Sequence, residues 1–208
     1  MDIINDAMQA SMPGSAKQFL GSVQPKPIGQ MIMYLGILAL LPLIGYIIGG
    51  LIGFGVMYGL IWGIVSVIGL VVAVVGSGFA LSIVSESVLG RKVSSEEAIT
   101  LVGYAATPVF AVMFLSGIFQ SMWGLAILGS LLSLLAWIYM AYLLYVGAGA
   151  RYGNDKALVA TIVVIIAGIV VSAIFGAIAG AVTWSMMWGA YVTPAASYYG
   201  AAALSYGF

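Results

Sequence analysis

The stretch SSEEAITLVGYAATPVF, residues 94–110, passes from charge into an apolar run that does not stop at its proline. In a soluble helix Pro108 would mark an end, because it lacks an N–H and crowds the carbonyl one turn back. Here the apolar run continues through VFAVMFLSGIF, residues 109–119. Ser94 with Glu97 three residues on has the form of a capping box, and Glu96 and Glu97 suit the positive end of a helix dipole. The stretch therefore predicts a helix that starts in water at Ser94 or Ser95, enters a bilayer over Ala98 to Leu101 and kinks near Pro108. In lipid a freed carbonyl needs a local partner, and the hydroxyls of Thr107 and Tyr104 are available for it. The kink with Tyr104, Thr107 and Pro108 forms a polar notch. Proline is ordinary in membrane helices, so packing alone also accounts for it.

Composition extends this reading to the whole chain. Of 208 residues 63% are hydrophobic and 6% charged, with a mean hydropathy of +1.19. Soluble domains carry about a quarter charged residues, and no soluble fold of this size hides so much apolar surface. Charges gather in three places: Asp2, Asp6, Lys17 and Lys26; then Glu86, Arg91, Lys92, Glu96 and Glu97; then Arg151, Asp155 and Lys156. A spanning helix needs about 20 apolar residues. The uncharged stretches 27–85 and 98–150 each hold two, separated by GGLIGFG (49–55) and QSMWG (120–124), and 157–208 holds one with a tail. Spans are expected near 30–52, 58–84, 98–119, 124–148 and 157–182. Such long, non-alternating runs exclude a β-barrel.

Five spans put all three charged clusters, with every Lys and Arg, on one side of the membrane. The positive-inside rule makes that side the cytoplasm. The fold class expected is thus all-α: a polytopic bundle of five transmembrane helices, N-terminus cytoplasmic and C-terminus outside. Residues 1–29 form a cytoplasmic or interfacial segment, either a weak amphipathic helix along the surface or a disordered tail. Residues 30–183 form the bundle. Residues 184–208, interrupted by Gly, Pro and Tyr, read as an extracytoplasmic tail, interfacial or re-entrant, anchored by Trp184 and Trp188. The first residues carry acids rather than the basic start of a signal peptide. Without cysteine there is no disulfide and no thiolate metal site.

The residues GYAATPVF after a charged loop resemble the Gly/Ala-Tyr-x-x-x-Pro signature of the Yip1 domain family. The resemblance extends over about residues 14–182: a Pro-containing lead-in (VQPKPIGQ), two coupled spans, the signature helix, an aromatic fourth span and a fifth after RYGNDKA. It implies five transmembrane helices with a cytoplasmic N-terminus. Eukaryotic members act in vesicle traffic with Rab GTPases and partners of the same family. This sequence lacks their long N-terminal region and the Asp-Leu-x-Gly-Pro motif before the first span. It is more similar to short prokaryotic members, which implies a prokaryotic cytoplasmic membrane.

Small residues recur every four positions: Gly45, Gly49 and Gly53; Gly55, Gly59 and Gly63; then Gly168, Ser172, Gly176 and Gly180, flanked by Ala173, Ala177 and Ala181. This spacing lets helix backbones approach closely, either within one chain or across a homo-oligomer joined through the last span. The fourth span carries Trp137, Tyr139, Tyr142 and Tyr145. Tyr139 and Tyr142 share a face, and their hydroxyls need partners, either Tyr104 or a neighbouring backbone carbonyl.

No His occurs in the chain, and no Asp, Glu, Lys or Arg lies in the expected spans, whereas proton-coupled carriers need intramembrane ionisable groups. Neither a nucleophile with its base, nor a metal-ligand cluster, nor a phosphate loop is present. No catalytic residue, cofactor or metal is expected, and no nucleic-acid partner. Two functions remain. One is a membrane adaptor or organiser whose contacts to a protein partner or anionic lipid run through Arg91, Lys92, Glu96, Glu97, Arg151 and Lys156. The other is a passive channel or carrier for a small solute or lipid through the notch at Tyr104, Pro108, Tyr139 and Tyr142.

Overall fold

The computed structural model describes the backbone of residues 2–205 except 54, 121 and 123, and side chains as far as 181 except 179 as well. It is all-helical, with no strand among the described residues. The elements are α1 (Ile3–Ser11), α2 (Pro13–Ser22), α3 (Ile28–Ile52), α4 (Val56–Leu89), α5 (Ser95–Ala105), α6 (Thr107–Gln120), α7 (Ala126–Tyr152) and α8 (Asn154–Ser205). By length and composition α3, α4, α7 and the first half of α8 are each fit to cross a membrane. The pair α5 and α6, bent by 42°, makes a fifth if counted as one broken span. Residues 1–172 form one compact unit and 173–208 another.

Helix ends follow the local chemistry. Gly90 stops α4 in the left-handed region (φ 68°), and Gly153 (φ 98°) is the single residue between α7 and α8. The third charged cluster is therefore a tight corner rather than a loop. Ser94 caps α5, its Oγ accepting from Glu97 N (3.1 Å). The reciprocal half of the expected capping box is absent, because the Glu97 carboxylate turns to Arg91 instead. Ser85, fully buried in α4, accepts from Val93 N (3.0 Å) and donates to the Ser82 carbonyl, tying the α4–α5 corner down.

The core of the first unit is α5. Ala98 through Ala106 are all buried, and glycines bring the neighbours in. A Cβ on Gly78 of α4 would sit 2.8 Å from Ile99 Cα, and one on Gly103 would sit 2.6 Å from Met31 Cε of α3. A Cβ on Gly147 of α7 would lie 2.8 Å from Leu101. Where hydrocarbon surrounds the bundle, such close approach replaces the hydrophobic drive that water supplies. The outer faces are as apolar as the core, with Ile138, Ile166 and Ile169 each more than half exposed.

Two sequence expectations are corrected at the chain's ends. Residues before the first span are neither a disordered tail nor a lone surface helix. They form two helices whose Ala10, Ala16 and Leu20 are buried in the common core. Beyond 182 the backbone stays helical to Ser205, through Pro194, so its Gly, Pro and Tyr residues do not interrupt it as expected. The side chains of Trp184 and Trp188, expected to anchor that tail, lie outside the described residues.

Candidate functional site

The signature helix breaks at Ala106, between α5 and α6, two residues before Pro108. The hydroxyls expected to repair the kink point elsewhere. Tyr104 Oη donates to Asp6 Oδ2 of α1 (2.9 Å), and Thr107 Oγ1 shares a hydrogen bond with Tyr34 Oη of α3 (2.7 Å). The Tyr34 and Tyr104 rings lie 4.9 Å apart, and Phe19 of α2 meets Tyr104 edge-on at 5.1 Å. The notch is thus a three-way junction of α3, α5–α6 and the N-terminal helix pair, and it is filled by the chain itself.

The fourth-span tyrosines divide. Tyr139 Oη donates to the Ser11 carbonyl (2.6 Å), the backbone alternative rather than Tyr104. Tyr142 stacks on Tyr139 at 6.0 Å but is 49% exposed and takes no part in the notch. Tyr145 is also largely exposed.

Among the expected contact residues, Arg151 faces inward. Its side chain is only 6% exposed; Nε donates to the Leu20 carbonyl (2.6 Å) and Nη2 to the Val23 carbonyl (2.5 Å), with Glu97 3.9 Å away. A guanidinium on the terminal carbonyls of α2 satisfies groups that the helix leaves unpaired and complements its negative end. Glu97 pairs with Arg91, whose guanidinium lies 4.9 Å from the Tyr152 ring centroid. The Tyr152 hydroxyl is buried without a hydrogen-bond partner among the described residues. Lys92 and Glu96 are left facing outward at the same end, while Lys156, half-exposed, lies 4.0 Å from the exposed Asp155 carboxylate.

The small-residue series separate as well. A Cβ on Gly45 would collide with the Phe114 backbone, on Gly59 with the Tyr46 carbonyl, on Gly50 with Gly59 (2.7 Å), and on Gly63 with Leu43 (2.9 Å). These join α3 to α4 and α6 within the chain. Gly49 is buried in α3 and its carbonyl accepts from Gly53, the C-cap. Gly55 (φ 102°) opens α4. In α8 a Cβ on Gly168 would face Ser77 Oγ at 3.1 Å, Ser172 is exposed, and a Cβ on Gly176 would meet nothing within 4 Å among the described residues outside its own helix.

The family model for the Yip1 domain matches residues 13–178, from the start of α2 into α8. The chain belongs to the Yip1 domain family. No curated protein and no solved structure matches it. Within the Yip1 domain, Gly103 and Tyr104 of the signature are buried in α5, and Pro108, half-buried, follows at the start of α6. Gly103 admits Met31, Tyr104 receives the N-terminal pair, and Pro108 follows the bend. Family membership and the apolar helices make this an integral membrane protein.

The expected spans held no Asp, Glu, Lys or Arg, yet folding brings Asp6 from outside them onto Tyr104. The readable signal was Asp6 and Ala10, four apart, on the face of α1 opposite Ile4 and Met8. Tyr34 was missed because α3 is apolar all round. Only its grouping with Met31, Leu35 and Leu38 marks an inner stripe. No group of three His, Cys, Asp or Glu suited to a metal occurs among the described residues.

Proposed function

We propose that this protein is a non-enzymatic membrane adaptor or organiser. It crosses the membrane five times, with α5–α6 as one bent span, its N-terminus and charged corners in the cytoplasm and its C-terminus outside, in a prokaryotic cytoplasmic membrane. The positive-inside rule supports that orientation, since Lys92, Arg151 and Lys156 sit at the ends of α4, α7 and α8 that face the α5 cap. The observation that carries the adaptor reading is how the polar groups are used. Tyr104, Thr107, Tyr139 and Arg151 are committed to internal bonds, leaving Lys92, Glu96 and Lys156 as the outward groups for a partner protein or anionic headgroups. Arg91 and Glu97 bond each other and set the shape of that surface. A homo-oligomer is compatible with the small-residue positions Ser172, Gly176 and Gly180.

The test is charge reversal where the fold does not depend on the charge, Lys92→Glu with Lys156→Glu. Partner recovery from crosslinked native membranes should fall sharply while the protein remains inserted. Recovery equal to wild type refutes the reading. A second reading, a passive carrier for a lipid or apolar solute, draws on a different feature from the filled notch. A cavity of about 520 Å³ lies between α4, α7 and α8, lined by Val74, Ser77, Trp137, Met140, Val164 and Gly168 among others. Among its lining side chains, Ser77 turns its Oγ back to donate to the Ala73 carbonyl (2.5 Å).

A further inference from the structure

The N-terminal helix pair has a definite height on the bundle, and that height follows from bonds already described. Tyr139 is the middle residue of α7, a helix of 27 residues, about 40 Å long. A hydrocarbon core is about 30 Å thick. Wherever that core falls along α7, Tyr139 lies about 10 Å or more inside it, and an ordinary tilt changes this little. The Tyr139 side chain leans toward the start of α7, away from the charged end. Its hydroxyl nevertheless meets the Ser11 carbonyl, at the corner between α1 and α2.

The rest of α2 climbs back along α7. Arg151, about 18 Å from Tyr139 along the axis, holds the Leu20 and Val23 carbonyls. A Cβ on Gly21 would touch the Ala150 Cβ at 2.8 Å, and one on Gly147 the Leu20 Cβ at 3.0 Å. Helix α1 descends to the same corner. Asp6 meets Tyr104, one turn beyond the Leu101 that packs on Gly147, and Ser11 lies about 8 Å further along α1.

We infer that α1 and α2 form a re-entrant hairpin sunk into the leaflet at the charged end, with Met12 near its deepest point and the outward face of α1 against lipid acyl chains. That face carries Ile4, Met8 and Met12, four apart and each at least half exposed. The inner face carries Ala7, Ala10 and Asp6, packed or bonded to the core. Polar groups on the pair match this placement. Of the three exposed amides on the pair, Asn5 and Gln9 bond each other, Gln9 Nε2 donating to Asn5 Oδ1 (3.2 Å), and Gln18 stands beside Lys17 on the returning helix. Lys17 stands one turn below Gly21, within reach of the headgroups by its flexible stem. The partner of this surface is the acyl region of the bilayer, and the hairpin, not a solute, fills the Tyr104 junction.

Because the chain has no cysteine, single cysteines test this in intact protein reconstituted in phosphatidylcholine–phosphatidylglycerol vesicles. A small fluorophore is attached at Met12→Cys, with Ile138→Cys as the lipid-facing standard and Lys92→Cys as the aqueous one. Quenching is measured with acyl-brominated lipid and with iodide. The Met12 probe should match the Ile138 probe toward brominated lipid, and iodide should quench it several-fold less than the Lys92 probe. If iodide quenches Met12 as it does Lys92 while the Ile138 probe stays lipid-quenched, the bundle is inserted and the hairpin lies in water, which overturns the inference. A second label at Met8→Cys must follow the same pattern, since a folded re-entrant α1 holds it on the same face.

Discussion

Replacing Arg151 by Met should release the N-terminal pair from the bundle while leaving the bundle assembled. The guanidinium makes two charge-assisted bonds to carbonyls at the end of α2, and its side chain is almost fully enclosed. Hydrogen bonds to a charged group contribute about 1.5–3 kcal/mol each, and a cation at a helix C-terminus adds a few tenths. Met retains much of the stem's packing. The net loss is then about 3 kcal/mol for docking of α2, and each 1.4 kcal/mol is tenfold, so the undocked population rises on the order of 100-fold. The Arg91–Glu97 pair adds little to this difference, because Arg91 is half exposed and its charge is screened. Trypsin reads the population directly, since cleavage after Lys17 requires α2 to open. Lys26 precedes Pro27 and resists the protease. When opening is fast relative to cleavage, the rate tracks the open fraction. Cleavage after Lys17 should accelerate by one to two orders of magnitude in Arg151→Met, while cleavage at the exposed Arg91–Lys92 corner keeps its wild-type rate. A rate within about twofold of wild type would refute the reasoning, since α2 would then be held by apolar packing alone.

Two further outcomes follow from the packing. Gly45→Val should prevent stable assembly, because its Cβ collides with the backbone of Phe114 rather than with a movable side chain. Overpacking costs about 1–3 kcal/mol where side chains can adjust, so a loss beyond that range is expected here, read as aggregation temperature in detergent. Tyr34→Phe and Thr107→Val should each destabilise by about 1–3 kcal/mol by stranding the other hydroxyl. The double variant should lose clearly less than their sum in a double-mutant cycle.

How far the sequence could be read depended on which interactions write a local pattern. Spans and corners were legible because the bilayer imposes a length of apolar residues and because charges stay at its faces; α3, α4 and α7 begin and end within a few residues of expectation. The Ser94 cap was legible because it is made within one turn. Partners of the hydroxyls were not. Nothing local to Thr107 names Tyr34, and nothing near Tyr139 names the Ser11 carbonyl. The continuity of the tail helix was not legible either: Gly and Pro lower helix propensity, yet the backbone of α8 stays helical through Pro194 to Ser205.

The same reasoning explains why Arg151 belongs among the positions that hold the fold rather than those that meet a partner. A sequence pattern sees a cation at the end of an apolar span and assigns it to the cytoplasmic surface. Enclosure reverses that assignment, since a charge withdrawn from water is tolerated only where acceptors surround it. The Leu20 and Val23 carbonyls, with Glu97 beside them, supply those acceptors. A charge-reversal experiment that included Arg151 would therefore mix two effects, undocking α2 and altering the outward surface. Lys92 and Lys156 avoid that confusion, because neither makes a bond to another helix among the described residues. If both reversals leave recovery unchanged, the adaptor reading fails whatever Arg151→Met does, because that variant undocks α2 and leaves the outward charges as they are.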